Sequence, residues 1–253
     1  MEQWRDRTAV VTGASSGIGA AIAKDLVKAG MIVIGLARRV ERIEALKKDL
    51  PPNLQGNLHA VKCDVSKEEE IIKAFTSIDQ KFNGIDVLIN NAGILRLLDL
   101  IKSDNSIPIR EVIDTNVFGL VFCTREAYKS MEKHGRNSHV VHINSIAGHA
   151  VPFHHTMPST NIYSPSKFAV TAITEIHRQE FIRSKHHIKV TSVSPGAVKT
   201  EIFPMDPKEV ESKMGKMPIL ESEDVSASVL HVLGTPPHVQ IHELTIKPFG
   251  EAF

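Results

Sequence analysis

The chain has 253 residues and a formal net charge of +1, with acidic and basic residues interspersed, so no charged tail or face favours nucleic acid or an anionic membrane. No apolar stretch reaches the ~20 residues that a membrane-spanning helix needs. The two cysteines, Cys63 and Cys123, lie in apolar runs, which favours buried thiols in a reducing compartment over a disulfide. The first residues, "MEQWRDRTAVV", carry charges where a signal peptide has an apolar core, so we expect a cytoplasmic protein without an integral membrane segment.

Short β-branched runs alternate with segments of helical periodicity along the chain. The predicted strands are, in order, "TAVVTGA", "MIVIGLA", "HAVKCDV", "IDVLINNAG", "HVVHINS", "IKVTSVSPG" and "IHELTIKP". The predicted helices span 18–29, 40–50, 67–82, 108–134, 162–185 and 222–233. This alternation predicts an α/β fold in which helices cover both faces of a parallel sheet. Without a repeat, low-complexity tract or linker to divide it, we expect 1–253 to form a single domain.

A glycine-rich segment, "TGASSGIG" at 12–19, directly follows the first strand and opens the first helix. Glycine allows a tight turn and a close approach to a pyrophosphate, which a helix N-terminus attracts. The spacing differs from the commonest dinucleotide fingerprint, and a plain tight turn is the alternative. The cofactor-binding candidates in this loop are Gly13, Ser15, Ser16, Gly17, Ile18 and Gly19.

The second strand ends in "GLARRVER", where Arg38 and Arg39 stand in the region that carries a carboxylate in NAD-preferring sites. A pair of guanidinium groups suits a 2′-phosphate, so we predict NADP(H) as the cofactor. The alternative is an ordinary solvated helix start. After the third strand, Asp64 is placed to hydrogen-bond the adenine, with Val65 beside the ring.

Tyr163 and Lys167 are four residues apart at the start of a predicted helix and therefore share one of its faces. A free phenol has a pKa of about 10, but a neighbouring ammonium and a positively charged cofactor favour the phenolate, so we expect the pKa to fall. Tyr163 would then exchange a proton with an alcohol or a carbonyl. Ser145 can hold the same oxygen, and Asn116 can anchor a water that leads to Lys167.

These motifs occur in the order and spacing of the short-chain dehydrogenase/reductase superfamily, which the chain resembles over nearly its whole length. The segments that carry the resemblance are "TGASSGIG", "NNAG" at 90–93, Asn116, Ser145, "YSPSK" at 163–167 and "SPGAVKT" at 194–200. The resemblance implies a single-domain, Rossmann-type, doubly wound sheet of about seven strands and hydride transfer with a nicotinamide. It also implies that Asn116, Ser145, Tyr163 and Lys167 form the catalytic tetrad.

Further cofactor contacts follow from the same resemblance. It implies that Lys167 binds the nicotinamide ribose beside Tyr163, and that Val198 and Thr200 hold the carboxamide region. The other cofactor-lining candidates are Asn91, Ala92, Gly93, Pro195 and Gly196. One departure is the C-terminus, which lacks the glycine pair that many members have after the last strand.

Finer features resemble the subgroup that contains dehydrogenase/reductase family member eleven and the insect farnesol dehydrogenases. They are "WRDR" before the first strand, "CTREAY" at 123–128, "INSIAGH" at 143–149 and "TPPHVQIHELTIKP" near the end. The resemblance implies NADP(H) and a lipophilic alcohol or carbonyl substrate. We expect farnesol or a similar terpenoid alcohol, with a 3- or 17-ketosteroid/carbonyl reductase as the alternative. A non-catalytic NADP(H)-binding sensor or lipophile carrier is the rival of another class.

Three irregular stretches, 94–107, 146–161 and 199–221, follow the carboxyl ends of predicted strands, where open α/β sheets bind ligands. They are rich in Leu, Ile, Phe, Met and Pro, which suits an apolar substrate, although such residues also pack loops onto a core. The substrate-contact candidates are Leu95, Phe153, His155 and Phe203.

Two expectations concern other partners. The paired histidines, at 154–155 and 186–187, are adjacent and lack a chelating spacing, so we predict no metal site. The long helices predicted at 108–134 and 162–185 carry apolar residues on more than one face, and with the family resemblance this implies a homodimer or homotetramer.

Overall fold

The computed structural model describes residues 1–151, 160–203 and 218–251. Its strands form one sheet in the order β3-β2-β1-β4-β5-β6-β7, and all neighbouring strands are parallel. Their bounds are β1 (Thr8–Thr12), β2 (Ile32–Ala37), β3 (Leu58–Lys62), β4 (Val87–Asn90), β5 (Ser138–Ile143), β6 (Ile188–Pro195) and β7 (Glu243–Ile246). The strand order reverses between β1 and β4, so a ligand crevice is expected at the carboxyl ends of these two strands.

Helices cover both faces of the sheet. They are α1 (Gly17–Lys28), α2 (Val40–Leu46), α3 (Glu68–Phe82), α4 (Ser106–Ile113), α5 (Gly119–His134), α6 (Tyr163–Ser184) and α7 (Ser222–Leu233). The predicted doubly wound Rossmann-type sheet is therefore confirmed. In the described ranges, no helix combines the length and apolar content that crossing a bilayer requires.

The core has two parts because successive residues of a strand point to opposite faces. On β1, Val11 packs with Leu26 of α1 and Val229 of α7, whereas Val10 belongs to the cluster that contains Phe75 of α3. All of these side chains are almost fully buried. The two clusters hold the sheet rigid between its helix layers, so the loops at its carboxyl edge start from fixed positions.

The helix predicted over 108–134 is interrupted in the structure. It begins at Ser106, but residues Asp114–Phe118 form a π-helical segment between α4 and α5. Single π turns of this kind are found frequently at functional sites. The segment contains Asn116, so the predicted tetrad residue lies where the helical hydrogen-bond pattern changes.

Helix α2 is shorter than the predicted 40–50. It ends at Leu46 and is followed by a 3₁₀ turn over Lys47–Asp49. Leu50 precedes Pro51, and the residue before a proline is disfavoured in the α conformation. Leu50 accordingly has extended backbone angles, φ −102° and ψ 148°.

Candidate active site

A cleft of about 850 Å³ opens at the carboxyl edge of the sheet and gathers most of the predicted site residues. The predicted residues that line it are Gly13, Ser15, Ser16, Gly17, Ile18, Arg38, Arg39, Asp64, Val65, Asn91, Ala92, Gly93, Leu95, Ser145, Tyr163, Lys167, Pro195, Gly196, Val198, Thr200 and Phe203. These residues lie at or beyond the carboxyl ends of six strands, β1 to β6, and the parallel topology brings them to one edge.

Among the predicted residues that the structure describes, two do not line this cleft. Gly19 lies beneath the glycine turn, where an added Cβ would clash with Asn91 and with the carbonyl of Gly13. Asn116 is buried behind the cleft wall. Phe153 and His155 lie outside the described residues.

The glycine turn is held against the loop after β4. Gly13 has φ +67°, and its N–H donates to the Leu36 carbonyl, 2.8 Å away. A Cβ at Gly13 would lie 2.9 Å from the Cα of Ala92 and from the amide nitrogen of Asn91. That amide in turn donates to the Thr12 carbonyl at 2.9 Å. Any side chain at position 13 would therefore force the two loops apart.

The first turn of α1 faces the same cleft. Ser16 is the N-cap residue but makes no capping hydrogen bond with its side chain. The first N–H groups of a helix lack intrahelical partners and carry the positive end of the helix dipole. A cradle without Cβ atoms beneath an open helix N-terminus fits the pyrophosphate of a dinucleotide.

The two predicted arginines, Arg38 and Arg39, also line the cleft, and they differ in their ion-pair partners. Arg38 is exposed and makes no hydrogen bond or ion pair with the part of the chain that the structure describes. Arg39 Nη2 lies 3.3 Å from Oε2 of Glu201. Arg42, three residues after Arg39, donates from Nη1 to both carboxylate oxygens of Glu201 at 2.9 Å. An unpaired guanidinium at the end of β2 fits a 2′-phosphate.

Asp64 and Val65 follow the end of β3. One carboxylate oxygen of Asp64 accepts hydrogen bonds from the Ser66 N–H at 3.1 Å and the Ser66 hydroxyl at 2.8 Å. These bonds fix the carboxylate, and Val65 beside it is buried. Both residues line the cleft, as an adenine contact requires.

Tyr163 and Lys167 occupy the first two turns of α6. Lys167 is only 6% exposed, and its Nζ donates to the Ile143 carbonyl at 2.8 Å. The same nitrogen lies 5.7 Å from the centroid of the Tyr163 ring. Ser145 follows β5 by two residues and caps a short 3₁₀ turn by accepting a hydrogen bond from the Ala147 N–H at 3.1 Å. The end of β5 thus fixes both the lysine and the serine.

The shift in the pKa of Tyr163 is opposite to the one expected from the sequence. Burial raises the pKa of Tyr163 to about 12, and the hydrogen bond with Ser145 acts in the opposite direction. Burial also lowers the pKa of Lys167 to about 8. The expected fall in the phenol pKa is therefore not produced by the chain's own groups. The residues hold a neutral phenol, a state that can donate a proton to a carbonyl oxygen.

Both polar atoms of the Asn116 side chain form hydrogen bonds within the protein. Its Oδ1 accepts from the Ile94 N–H at 2.9 Å, and its Nδ2 donates to the Ile94 carbonyl at 3.0 Å and to Ser166 Oγ at 3.1 Å. The Ser166 hydroxyl donates in turn to the Tyr163 carbonyl at 2.6 Å. This chain of contacts joins the loop after β4 to the first turn of α6, so Asn116 positions the backbone of Tyr163.

Apolar side chains form the remaining wall of the cleft. Leu95 is 3% exposed and Phe203 is partly buried, and both line the cleft with Ile94, Leu97 and Ile202. Among the described residues no cluster of three or more His, Cys, Asp or Glu side chains is arranged to hold a metal ion.

The charged residues near the cleft that sequence reasoning missed include Arg42, Glu201 and Glu251. Glu251 lines the cleft beside Gly196, and burial raises its pKa. Arg42 and Glu201 are 159 positions apart, so no local pattern connects them. The available signal was the third arginine in "RRVER", together with a carboxylate directly after the "SPGAVKT" motif.

Comparison with known proteins gives consistent results. The family model described as short chain dehydrogenase matches residues 7–210. A farnesol dehydrogenase of Aedes aegypti is 59% identical over 253 residues, which is 100% of both chains. The dehydrogenase/reductase SDR family member 11 of Bos taurus is 42% identical over 98% of both chains. The closed form of serine dehydrogenase complexed with NADP⁺ has a TM-score of 0.85 at 30% identity, covering 97% of this chain and 96% of that one.

The family model covers most of the chain, and both relatives span nearly all of it. The family and the subgroup predicted from the motifs are thereby confirmed, as is the prediction of an oxidoreductase. The protein belongs to the short-chain dehydrogenase/reductase family.

Proposed function

We propose that this protein is an NADP(H)-dependent oxidoreductase that interconverts a lipophilic alcohol and its aldehyde or ketone. Farnesol or a similar terpenoid alcohol is the proposed substrate. The observation that carries the proposal is the partly buried phenol of Tyr163, set between Ser145 and Lys167 in the cleft that also contains the glycine turn. A proton donor and a dinucleotide cradle in one cleft are what carbonyl reduction requires.

The proposed mechanism assigns one task to each residue of the tetrad. When bound, the nicotinamide supplies or accepts the hydride. In the reducing direction Tyr163 donates its phenolic proton to the substrate oxygen, while the Ser145 hydroxyl holds that oxygen by a hydrogen bond. In the oxidising direction the phenol must first release its own proton to solvent, and the Tyr163 phenolate then takes the hydroxyl proton of the alcohol. Lys167 binds the ribose and contributes positive charge beside the phenol, and Asn116 fixes the turn that carries Tyr163.

The cofactor proposal is NADP(H). The open N-terminus of α1 and the cradle at Gly13 fit the pyrophosphate, and Arg38, which has no ion-pair partner among the described residues, fits the 2′-phosphate. No carboxylate occurs in "GLARRVER" before Glu41, which lies within α2. The NADP⁺ in the serine dehydrogenase neighbour supports the same choice.

The substrate proposal depends on the apolar wall and on the subgroup. The wall formed by Leu95, Leu97 and Phe203 favours a ligand that binds through buried hydrocarbon area. The name of the Aedes aegypti relative supports a terpenoid alcohol. The loops 94–107, 146–161 and 199–221 would enclose it, with Phe153 and His155 as further proposed contacts.

A complete tetrad argues against a non-catalytic sensor or carrier, because such a protein has no use for a proton donor. The apolar wall also suits a steroid, so the 3- or 17-ketosteroid/carbonyl reductase is kept as the second candidate.

Assembly and location complete the proposal. Large apolar side chains are exposed on and near the two long helices, namely Phe118, Phe168, Ile176 and Ile182. These exposed side chains, together with the family, support our proposal of a homodimer or homotetramer. Both cysteines are free and buried, which fits the reducing environment of a cytoplasmic protein.

A substrate screen tests the function. The purified protein is assayed with farnesol and its aldehyde, and with 3- and 17-ketosteroids, each with NADP(H) and NAD(H). We expect turnover of the terpenoid pair with NADP(H). Turnover of ketosteroids alone would transfer the assignment to the second candidate, and cofactor binding without any turnover would favour the sensor.

A further inference from the structure

A carboxylate lies within the arginine cluster at the presumed 2′-phosphate end of the cleft. Glu201 directly follows the "SPGAVKT" motif, and its side chain reaches across to Arg39 and Arg42. All three side chains are 42–59% exposed. Arg39 and Glu201 both line the cleft, whereas Arg42 does not. A negative group at this place is unexpected, because it faces the region where a phosphate would bind.

The two arginines hold Glu201 unequally. Arg42 Nη1 donates to both carboxylate oxygens at 2.9 Å, whereas Arg39 makes a single contact at 3.3 Å. The pKa of Glu201 is lowered, with Arg42 as the largest cause and Arg39 as a smaller one. Arg39 can therefore leave Glu201 at little cost while Arg42 stays on the carboxylate.

This inequality matters for a 2′-phosphate. Such a group carries nearly two negative charges at neutral pH and prefers guanidinium partners. An uncompensated carboxylate beside it would repel it and would compete with it for Arg39. With Arg42 on the carboxylate, both effects are reduced, and Arg38 and Arg39 are available together.

We propose that Arg42 is a positioning residue for cofactor specificity: it neutralises Glu201 and so frees Arg39 to join Arg38 on the 2′-phosphate of NADP(H). Arg42 itself need not touch the cofactor, since it lies in the first turn of α2 and does not line the cleft. The inference rests on the proposed NADP(H) function. It predicts that removing Arg42 harms binding only while Glu201 keeps its charge.

Binding of NADPH and of NADH, measured by isothermal titration calorimetry at low ionic strength without any turnover, tests this. Arg42→Ala should weaken NADPH about tenfold, the loss expected when about one charged hydrogen bond is removed, and should leave NADH within about twofold. Glu201→Gln should leave NADPH unchanged or tighter. The double variant Arg42→Ala/Glu201→Gln should bind NADPH within about threefold of the parent, and Arg42→Lys should rescue in part. Across the variants, the affinity for the truncated probe 2′,5′-ADP should change as the affinity for NADPH does, and the affinity for ADP should change as the affinity for NADH does.

The matched control is Arg5→Ala, which also removes one arginine of an exposed pair with a glutamate but lies at the start of the chain. It should leave both affinities unchanged, and thermal unfolding should show that all variants remain folded.

Three results overturn the inference. They are an unchanged NADPH affinity in Arg42→Ala, a double variant as weak as Arg42→Ala, and a Glu201→Gln variant that loses NADPH affinity as strongly as Arg42→Ala. A parent protein that binds NADH as tightly as NADPH would overturn the cofactor proposal and this inference with it. A normal NADPH preference in the parent, combined with any of the three results, overturns the inference alone.

Discussion

The ammonium of Lys167 lies 5.7 Å from the centre of the Tyr163 ring and donates its hydrogen bond to the Ile143 carbonyl at the end of β5, 2.8 Å away. The amine is therefore fixed beside the phenol by the sheet and is not paired with the phenol oxygen itself. Burial lowers the pKa of Lys167 to about 8 and raises that of Tyr163 to about 12. At neutral pH the site holds a neutral phenol next to a cation that is lost in mild alkali.

Cofactor affinity should depend on this cation. The pKa of Lys167 in the fold is depressed below its ordinary value, so the amine is charged below pH 8 and neutral above it. Because an anionic dinucleotide favours the charged form, NADPH affinity should fall as the pH rises through about 8. Lys167→Met should bind more weakly at pH 7 and should lose this pH dependence. Calorimetric titrations from pH 7 to 9.5 measure it.

Lys73→Met, on the exposed side of α3, is the control for removing an amine and should keep the parent profile. A Lys167→Met variant with the same pH dependence as the parent would show that another group titrates.

Arg38 is predicted to distinguish the two dinucleotides. Arg38→Asp replaces an exposed guanidinium with the carboxylate that NAD-preferring sites carry. NADPH should bind about tenfold more weakly, while NADH binds as well or better, because a carboxylate accepts from ribose hydroxyls and repels a phosphate. Dissociation constants for both cofactors check this, and an unaltered ratio would remove Arg38 from the specificity assignment.

The close approach at Gly13 can be separated from its backbone angle. Gly13 and Gly135 have similar φ values, +67° and +61°, but an added Cβ meets Ala92 and Asn91 at position 13 and nothing within 4 Å at position 135. Gly135→Ala should therefore lose about 1 kcal/mol of unfolding free energy from the angle alone. Gly13→Ala should lose more, by about 1–3 kcal/mol, and should also bind cofactor poorly.

Urea unfolding and NADPH titration of the two variants give the comparison. Equal losses of stability, with cofactor binding retained in Gly13→Ala, would contradict a role for the close approach.

Buried histidines should make the protein sensitive to acid. Burial lowers the pKa of His139 to about 3 and that of His177 to about 4, below the ~6.5 of a solvated imidazole. The unfolded chain therefore binds protons that the native chain excludes, so the unfolding free energy falls as the pH decreases from 6.5 towards 4. For His139 alone the loss at pH 5 is about 2 kcal/mol.

His139→Gln should remove that part of the loss, because a glutamine can keep a donor near Thr191 Oγ1, 2.8 Å from His139 Nε2, without titrating. Urea unfolding at pH 7.5 and 5 measures the difference, with His231→Gln at an exposed position on α7 as the control. A His139→Gln variant as acid-sensitive as the parent would be evidence against a neutral buried imidazole.

The sequence was informative where local patterns decide the structure. Apolar β-branched runs predicted the strands, most clearly β1 and β4 in the centre of the sheet, because strands buried on both faces are rich in apolar residues. The glycine turn at 12–19 and the shared helix face of Tyr163 and Lys167 could also be predicted, because residues close in sequence determine both. The strand order and the assembly of the cleft follow from the general rule for doubly wound sheets.

Contacts between residues far apart in the sequence could not be predicted from local patterns. The π-helical segment at Asn116 is associated with contacts to Ile94 and Ser166, which are 22 and 50 positions away. The Arg42–Glu201 pair likewise forms only after β2 and β6 are placed in the sheet. The raised pKa of Tyr163 depends on how completely the fold buries the phenol, which residue spacing does not encode.

The central claim, that Tyr163 transfers the proton, is tested most directly by Tyr163→Phe in parallel measurements of turnover and NADPH affinity. Tyr128→Phe is the matched control, since Tyr128 is the other of the chain's two tyrosines and its hydroxyl donates to Glu132 on the surface of α5. We expect Tyr163→Phe to lose about a thousandfold in kcat while its Kd for NADPH stays within about threefold, and Tyr128→Phe to match the parent. A Tyr163→Phe protein that turns over the same substrate at a rate close to the parent's would contradict the account.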